Sequence, residues 1–315
     1  AFQGRRSYDG VLLNFRGELL SDKIESTSLT AGRYRSRRLT KFSLLPEDSW
    51  TLSDGSKVIF KAGATYDDTN RDSSHFSPVG ELSHETKDAA VRRVYLSYSE
   101  STQVPTYTAL NSSATAGLFR GNPALGRTIS RNLEAGLDGT FGGWTTQAAA
   151  FWRRDSALVD WTFRRGVTAR AANAVDIDVR GIEAYGRRTF GAADIVLGYT
   201  WLTKDSDYRG AAVDASFYAL NYARHRLTAA MTLRLGHGFE LRVDNVARIQ
   251  ADNLLRVVGG NRAVTTAAAL AYRPRSVRGL ELSLQVDNAW DTHFQEVPAV
   301  PASPRQVSAG VAYAW

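Results

Sequence analysis

The sequence predicts an all-β protein, an antiparallel transmembrane β-barrel. About 15 strands are expected, with short periplasmic turns and long extracellular loops. Three observations predict it. Apolar residues recur at every second position through most of the chain, with polar or charged residues between them. Short and long connections alternate between these stretches. The last strand runs Val307, Ala309, Val311, Tyr313, Trp315, and small or polar residues fill the gaps. A period of two makes one strand face apolar and leaves the other wet. An aromatic final strand suits the belt that borders the lipid-facing wall of outer-membrane barrels.

Composition agrees. Among 315 residues there is no Cys, which excludes a disulfide framework and a thiolate metal site. Mean hydropathy is −0.29, and no run of ~18 apolar residues offers a membrane-spanning helix. A barrel has no such run either, because half of each strand faces a polar lumen. The formal net charge is +7, and Arg outnumbers Lys 33 to 6. The arginines are dispersed among acids, as in a solvated lumen; attraction to lipid phosphates or an anionic ligand is the other reading. No signal peptide opens the chain, so it is read as mature, trimmed or incomplete.

The strands follow in order. Val11, Leu13, Phe15 and Leu19 alternate with Leu12, Asn14, Arg16 and Glu18. Val58, Phe60, Ala62, Ala64 and Tyr66 alternate with Ile59, Lys61, Gly63 and Thr65. Trp144 and Trp152 share one face of one strand. They lie ~26 Å apart along it, or ~19 Å across a membrane at ~45° tilt, close to the spacing of two aromatic girdles. Trp161, Trp201 and Trp290 fall near the outer ends of strands. Val175, Ile177 and Val179 are out of phase with Ile182 and Ala184. A bulge near Gly181, or a strand leaving the membrane there, resolves the conflict. Leu227, Ala229, Met231, Leu233 and Leu235 make another apolar face, and Leu280, Leu282, Leu284 and Val286 the cleanest one.

Short turns are expected near Asp54-Gly55, Lys87-Asp88, Phe141 to Gly143, Phe190-Gly191, Gly236-His237 and Pro274 to Arg278. Longer polar connections are expected near 67–76, 102–127, 164–173, 204–223, 251–262 and 290–305. Ala1 to Asp9 reads as the middle of a connection. Glu134 and Glu183 should point into the lumen, because a charge facing lipid costs up to a few kcal/mol at mid-depth. Asn288 should end its strand by local side-chain to backbone bonds.

Several segments, in order, resemble a known family. Tyr98-Ser99-Glu100-Ser101 through Val104-Pro105-Thr106 and Leu110 is similar to the "YS…PT…L" segment of TonB-dependent outer-membrane receptors. Gly121-Asn122-Pro123-Ala124-Leu125, Ser130 and Glu134-Ala135-Gly136 resemble that family's "GNPxL…S…ExG". Gly181-Ile182-Glu183 resembles its "G-V/I-E", and Ala62 to Asp67 its "aGxRyD" strand end. Val286 to Asp291 resembles the "VxNLFD" before its last extracellular loop. The resemblance runs from about residue 57 to 315. It implies that 1–315 is the C-terminal part of a receptor barrel of about 22 strands, without the N-terminal plug, which carries the segment engaging the inner-membrane TonB energy transducer.

The resemblance implies uptake of a scarce chelate, an iron siderophore or a cobalamin-like corrinoid. The implied partners are the TonB complex, reached through the plug, outer-membrane lipid and lipopolysaccharide, and the barrel-assembly machinery, reached through the C-terminal strand with Tyr313 and Trp315. Family ligands meet extracellular loops. The candidates are Tyr107, Phe119, Arg120 and Asn122 in one loop, and Tyr208, Arg209, Tyr218 and Tyr222 in another. Tyrosine and arginine suit large polar chelates, and girdle aromatics are the plainer reading of each.

Asp67, Asp68 and Asp72 with Asn70 carry oxygen ligands of the kind Ca²⁺ takes, but their spacing does not match an EF-hand. No cofactor and no nucleic acid is expected. His75, His84, His225, His237 and His293 are scattered, and no hydrolase or nucleotide-binding motif is present. His225, between Arg224 and Arg226, is read as a solvated side chain, with an outer-membrane hydrolase as a third reading. A plug-less passive pore or adhesin-like barrel is the alternative to the receptor.

Overall fold

A computed structural model describes residues 1–29, 34–87, 89–253, 256–297 and 300–314. The alternation becomes strands. In chain order these are β1 Phe2–Tyr8, β2 Val11–Lys23, β3 Ser36–Thr51, β4 Lys57–Thr69, β5 Asp72–Glu85 and β6 Val91–Gln103. A short helix, α1 Tyr107–Asn111, and a short strand, β7 Phe119–Arg120, come next. β8 is Thr128–Phe141, β9 Trp144–Arg164, β10 Val167–Phe190, β11 Ala193–Asp207 and β12 Ala215–Ser216. β13 is Ala223–Gly236, β14 Phe239–Gln250, β15 Arg262–Tyr272 and β16 Leu280–Asp287. β17 Gln295–Val297, β18 Val300–Pro301 and β19 Gln306–Tyr313 complete the order. Among the described residues, fifteen strands have seven residues or more, the number expected. No described helix is long and apolar enough to cross a membrane, which says nothing about crossing by strands.

The chain divides into two units. The first holds Ala1–Asp138, Ala149–Gly181 and Thr203–Leu220. In it β1 to β6 pair antiparallel, each with the next. Phe42 faces Tyr66 and Tyr66 faces Phe76, while Phe60 faces Leu82 and Leu82 faces Leu96. All six side chains are exposed, so this face is an apolar surface with no protein against it, as hydrocarbon contact requires. The opposite face carries a charge ladder. Lys61 lies 3.8 Å from Glu47 and 3.4 Å from Glu81, and Arg93 lies 2.8 Å from Glu81 and 3.3 Å from Asp138. Glu134 sits on the wet face as expected, accepting from the Tyr95 hydroxyl at 2.7 Å.

The second unit holds Gly139–Ala148, Ile182–Leu202 and Asn221–Trp315. β11 pairs with β13, then β14, β15, β16 and β19 follow in antiparallel register. Leu227, Leu282 and Leu284 are 48%, 39% and 54% exposed; these alternating residues turn outward rather than onto a dry core. Asn288 ends its segment as expected: its Oδ1 accepts from the Thr292 N–H at 3.0 Å, and its Nδ2 donates to the Thr292 carbonyl at 3.1 Å. Tyr313 faces Leu280 across the β16–β19 ladder. Trp315 and Asp88 lie outside the described residues.

Three expectations are corrected. The segment 67–76 is not a long connection: β4 continues to Thr69, β5 begins at Asp72, and only Asn70 and Arg71 lie between. The segment 164–173 likewise shrinks to Arg165-Gly166, where Gly166 takes φ +79°. The physical reason is common to both. Polarity marks where a strand leaves hydrocarbon, not where its backbone pairing stops. Residues 1–9 are also not a connection but the strand β1. Its glycine is covered across the ladder by the Phe15 ring, and Phe2 covers Gly17 in return. The phase conflict resolves without a break: β10 is continuous through Gly181, with Val175, Ile177 and Val179 buried on one side and Ile182 exposed on the other.

Candidate functional site

Residues 104–127 fold back on the first unit. Thr106 caps α1, its hydroxyl accepting from the Ala109 N–H at 3.2 Å, the usual solution for an orphan helix donor. Asn122 returns the chain: its N–H donates to the Ala109 carbonyl at 2.7 Å, and its Oδ1 accepts from the Ala124 N–H at 3.0 Å. Gly121 has to be a glycine, since a Cβ there would sit 2.7 Å from the Ser112 carbonyl oxygen. Ala109, Leu110, Leu125 and Ala172 form a small dry cluster beneath the loop.

Ionic contacts tie this loop to the strand ends. Tyr107 donates to Asp22 Oδ1 at 2.5 Å, and Arg37 donates to Asp22 Oδ2 at 2.6 Å. Together these hold the Asp22 carboxyl below its usual range. Burial raises the Tyr107 phenol, and its bond to Asp22 raises it further. Arg71 stacks over Tyr34 at 4.9 Å and Tyr107 at 4.5 Å. Arg127, just past the loop's return, is buried and pairs with buried Asp67, and its Nη2 donates to the Ser73 carbonyl at 2.6 Å. Asp72 Oδ2 accepts from the Arg127 N–H at 3.0 Å, and Asn70 Oδ1 from the Arg38 N–H at 2.9 Å. Asp67 and Asp72, two of the three acids that suggested Ca²⁺, thus anchor a loop. No cluster of metal-ligating side chains occurs among the described residues.

The second candidate loop is also pinned. β12 pairs with the outer end of β9, Ala215 facing Phe163 and Ser216 facing Thr162. Asp160 is fully buried and accepts from the Tyr208 hydroxyl at 3.1 Å, the Tyr218 N–H at 3.1 Å and the Ala219 N–H at 3.0 Å. Burial and the Asp160 charge push the Tyr208 phenol up. Arg209 grips Asp176 with Nε at 3.2 Å and Nη2 at 2.8 Å. Tyr208 and Arg209 are thus loop anchors, whereas the Tyr218 side chain is exposed. Tyr222 belongs to the second unit, where its carbonyl accepts from the Ala251 N–H at 2.8 Å.

Arg170 links the two loops. Its guanidinium lies 5.4 Å from the Phe119 ring, 4.6 Å from Phe163 and 5.6 Å from Phe217, and Phe119 packs edge-on to Trp161 at 5.1 Å. Neither Arg170 nor Arg71 was singled out by the sequence. Each sits in a stretch without regular alternation, so no periodicity marks it. Buried guanidinium nitrogens of Arg71, Arg120 and Arg170 find no hydrogen-bond partner among the described residues. Beside Phe119 opens a concavity of about 440 Å³, its wall shared between Ser26, Ser28, Thr108, Ser112 and Ser113 and the apolar Leu29 and Ala116. Cations under aromatic rings next to a hollow of mixed polar and apolar wall suit a large anionic ligand.

The family model "TonB dependent receptor-like, beta-barrel" matches residues 3–293. Solved structures share the fold at low identity. The FrpB iron transporter from Neisseria meningitidis is 15% identical with a TM-score of 0.70, covering 99% of this chain and 53% of its own. The siderophore receptor PirA from Acinetobacter baumannii is 14% identical with a TM-score of 0.69, covering 99% and 53%. The copper transporter OprC is 14% identical with a TM-score of 0.66, covering 98% and 55%. The chain spans about half the length of these structures. No curated protein sequence matches it.

Proposed function

This chain belongs to the TonB-dependent receptor-like β-barrel family, and we propose that it forms the C-terminal barrel wall and loops of a receptor for a scarce metal chelate. The outer membrane is the family's location. The short turns are assigned to the periplasm and the long loops to the outside. The plug, its contact with the TonB complex and the remaining strands of a barrel of about 22 are assigned to sequence outside residues 1–315. The twofold length of the matching structures supports this, and an in-frame plug upstream in the gene is the expected finding.

The chelate is assigned to the anionic siderophore class rather than to corrinoids. The observation that carries this is the set of three incompletely hydrogen-bonded arginines at the loop end, Arg71, Arg120 and Arg170, of which Arg71 and Arg170 lie against aromatic rings. Buried donors without partners are rare and need an explanation, and a chelate rich in oxygen acceptors supplies one. Iron- and siderophore-named neighbours agree with this class, and none of those named above is a cobalamin receptor.

Arg170→Ala tests it. In the whole receptor the variant should keep its folded, heat-modifiable gel mobility and bind a ferric tris-catecholate about tenfold more weakly, a loss of ~1–2 kcal/mol. Vitamin B12 should not compete. Unchanged catecholate binding, or displacement by B12, would overturn the assignment.

A further inference from the structure

At the short-turn end of the second unit, one arginine faces the wrong way for a lumen. Thr189 and Arg234 both bond Asp194, at 2.5 Å each, so these three lie on the polar face. Strand alternation then sends Ile182, Gly186, Arg188 and Phe190 to the other face, the one that carries Leu233 and Met231 opposite Ala193 and Ile195. Side-chain contacts agree. The Arg188 guanidinium lies 4.2 Å over the Phe190 ring, and Trp144 packs edge-on to Phe190 at 5.9 Å. Trp144 packs directly over Gly186, where a Cβ would sit 3.4 Å from the indole. Gly143 opens the adjoining turn, where a Cβ would meet the guanidinium at 3.3 Å.

Arg188 makes no hydrogen bond or ion pair among the described residues, its side-chain partner being the Phe190 ring. Arg275 and Arg278 add exposed cations at the turn between β15 and β16. A lipid-facing arginine two residues from a turn, flanked by aromatics, is placed to reach the headgroup layer while its stem stays in hydrocarbon.

We infer that Arg188, Phe190 and Trp144 form a headgroup site for an anionic phospholipid of the inner leaflet. The guanidinium fork holds the phosphodiester and the aromatic pair walls the first acyl segments. The site rests on the membrane reading above and goes beyond it by naming the lipid class.

The test is native mass spectrometry of the purified protein in neutral detergent, titrated with dioleoyl phosphatidylglycerol or dioleoyl phosphatidylcholine. Phosphatidylglycerol should be retained in preference. Arg188→Gln should lower that retention about fivefold, while Arg187→Gln, on the opposite face, should leave it unchanged. Should Arg188→Gln fail to fold, Gly186→Leu, which pushes the overlying Trp144 indole aside and keeps every charge, should give the same loss. Equal retention of the two lipids, unchanged retention in Arg188→Gln or in Gly186→Leu, or displacement by equimolar inorganic phosphate would overturn the site. Insertion into phosphatidylcholine vesicles separates the two failures: protein that inserts but shows no headgroup preference sinks only the lipid site.

Discussion

Asp22 shows what one residue does at the loop end. It is the last residue but one of β2, past the apolar stretch that ends at Leu20, and it takes the Tyr107 hydroxyl and the Arg37 guanidinium together. Its folded carboxyl titrates below the ordinary 3.8. A depressed carboxylate contributes stability that is fully present above the unfolded value and is lost as pH falls through the folded one. Protection of the Ala109 and Leu110 amides against hydrogen exchange should therefore hold at pH 5 and fall below about pH 4. Asp22→Asn should show weakened protection already at pH 5 and little further change on acidification. Residues of this kind were only partly legible. Tyr107 stood out as a loop tyrosine, but its partner lies 85 positions away, and no local pattern announces a contact across that distance.

Strands were more legible than connections. Alternation carries the face of every residue, so the outward row through Phe60 and Leu82 and the inward ladder through Lys61 and Glu81 could be read from spacing alone. Where strands run beyond hydrocarbon, polarity no longer distinguishes strand from loop, and for that reason β4, β5, β9 and β10 extend past the ends their polarity suggests. Close approach of backbones is equally silent in a sequence. Gly63 in β4 lies against β3 so tightly that a Cβ would run into the Leu44 carbonyl. Backbone cannot yield as a flexible side chain does. Gly63→Ala should therefore lower the urea midpoint of the vesicle-inserted protein by the equivalent of ~1–3 kcal/mol, whereas Gly55→Ala in the solvent-exposed turn should cost about 1 kcal/mol through its positive φ alone.

For the molecule as a whole, the decisive property is which solvent touches which face. Leu284 and Gln285 are neighbours in β16 on opposite faces. Leu284→Arg should destabilise the protein in vesicles by ~2–4 kcal/mol if it lies near mid-depth, while Gln285→Arg should change it by less than about 0.5 kcal/mol. Equal effects in urea titrations would remove the hydrocarbon contact on which the location depends. The sequence by itself determined the all-β class, the two faces, the strand number and the family, because a two-residue period and ordered local motifs are short-range information. Only the tertiary structure decided that the acidic group at Asp67 anchors Arg127, that Tyr208 and Arg209 are braces, and that Arg170 joins two loops under aromatic rings. Those roles depend on side chains brought together across long stretches of chain, and pairing at a distance is fixed by packing rather than by spacing.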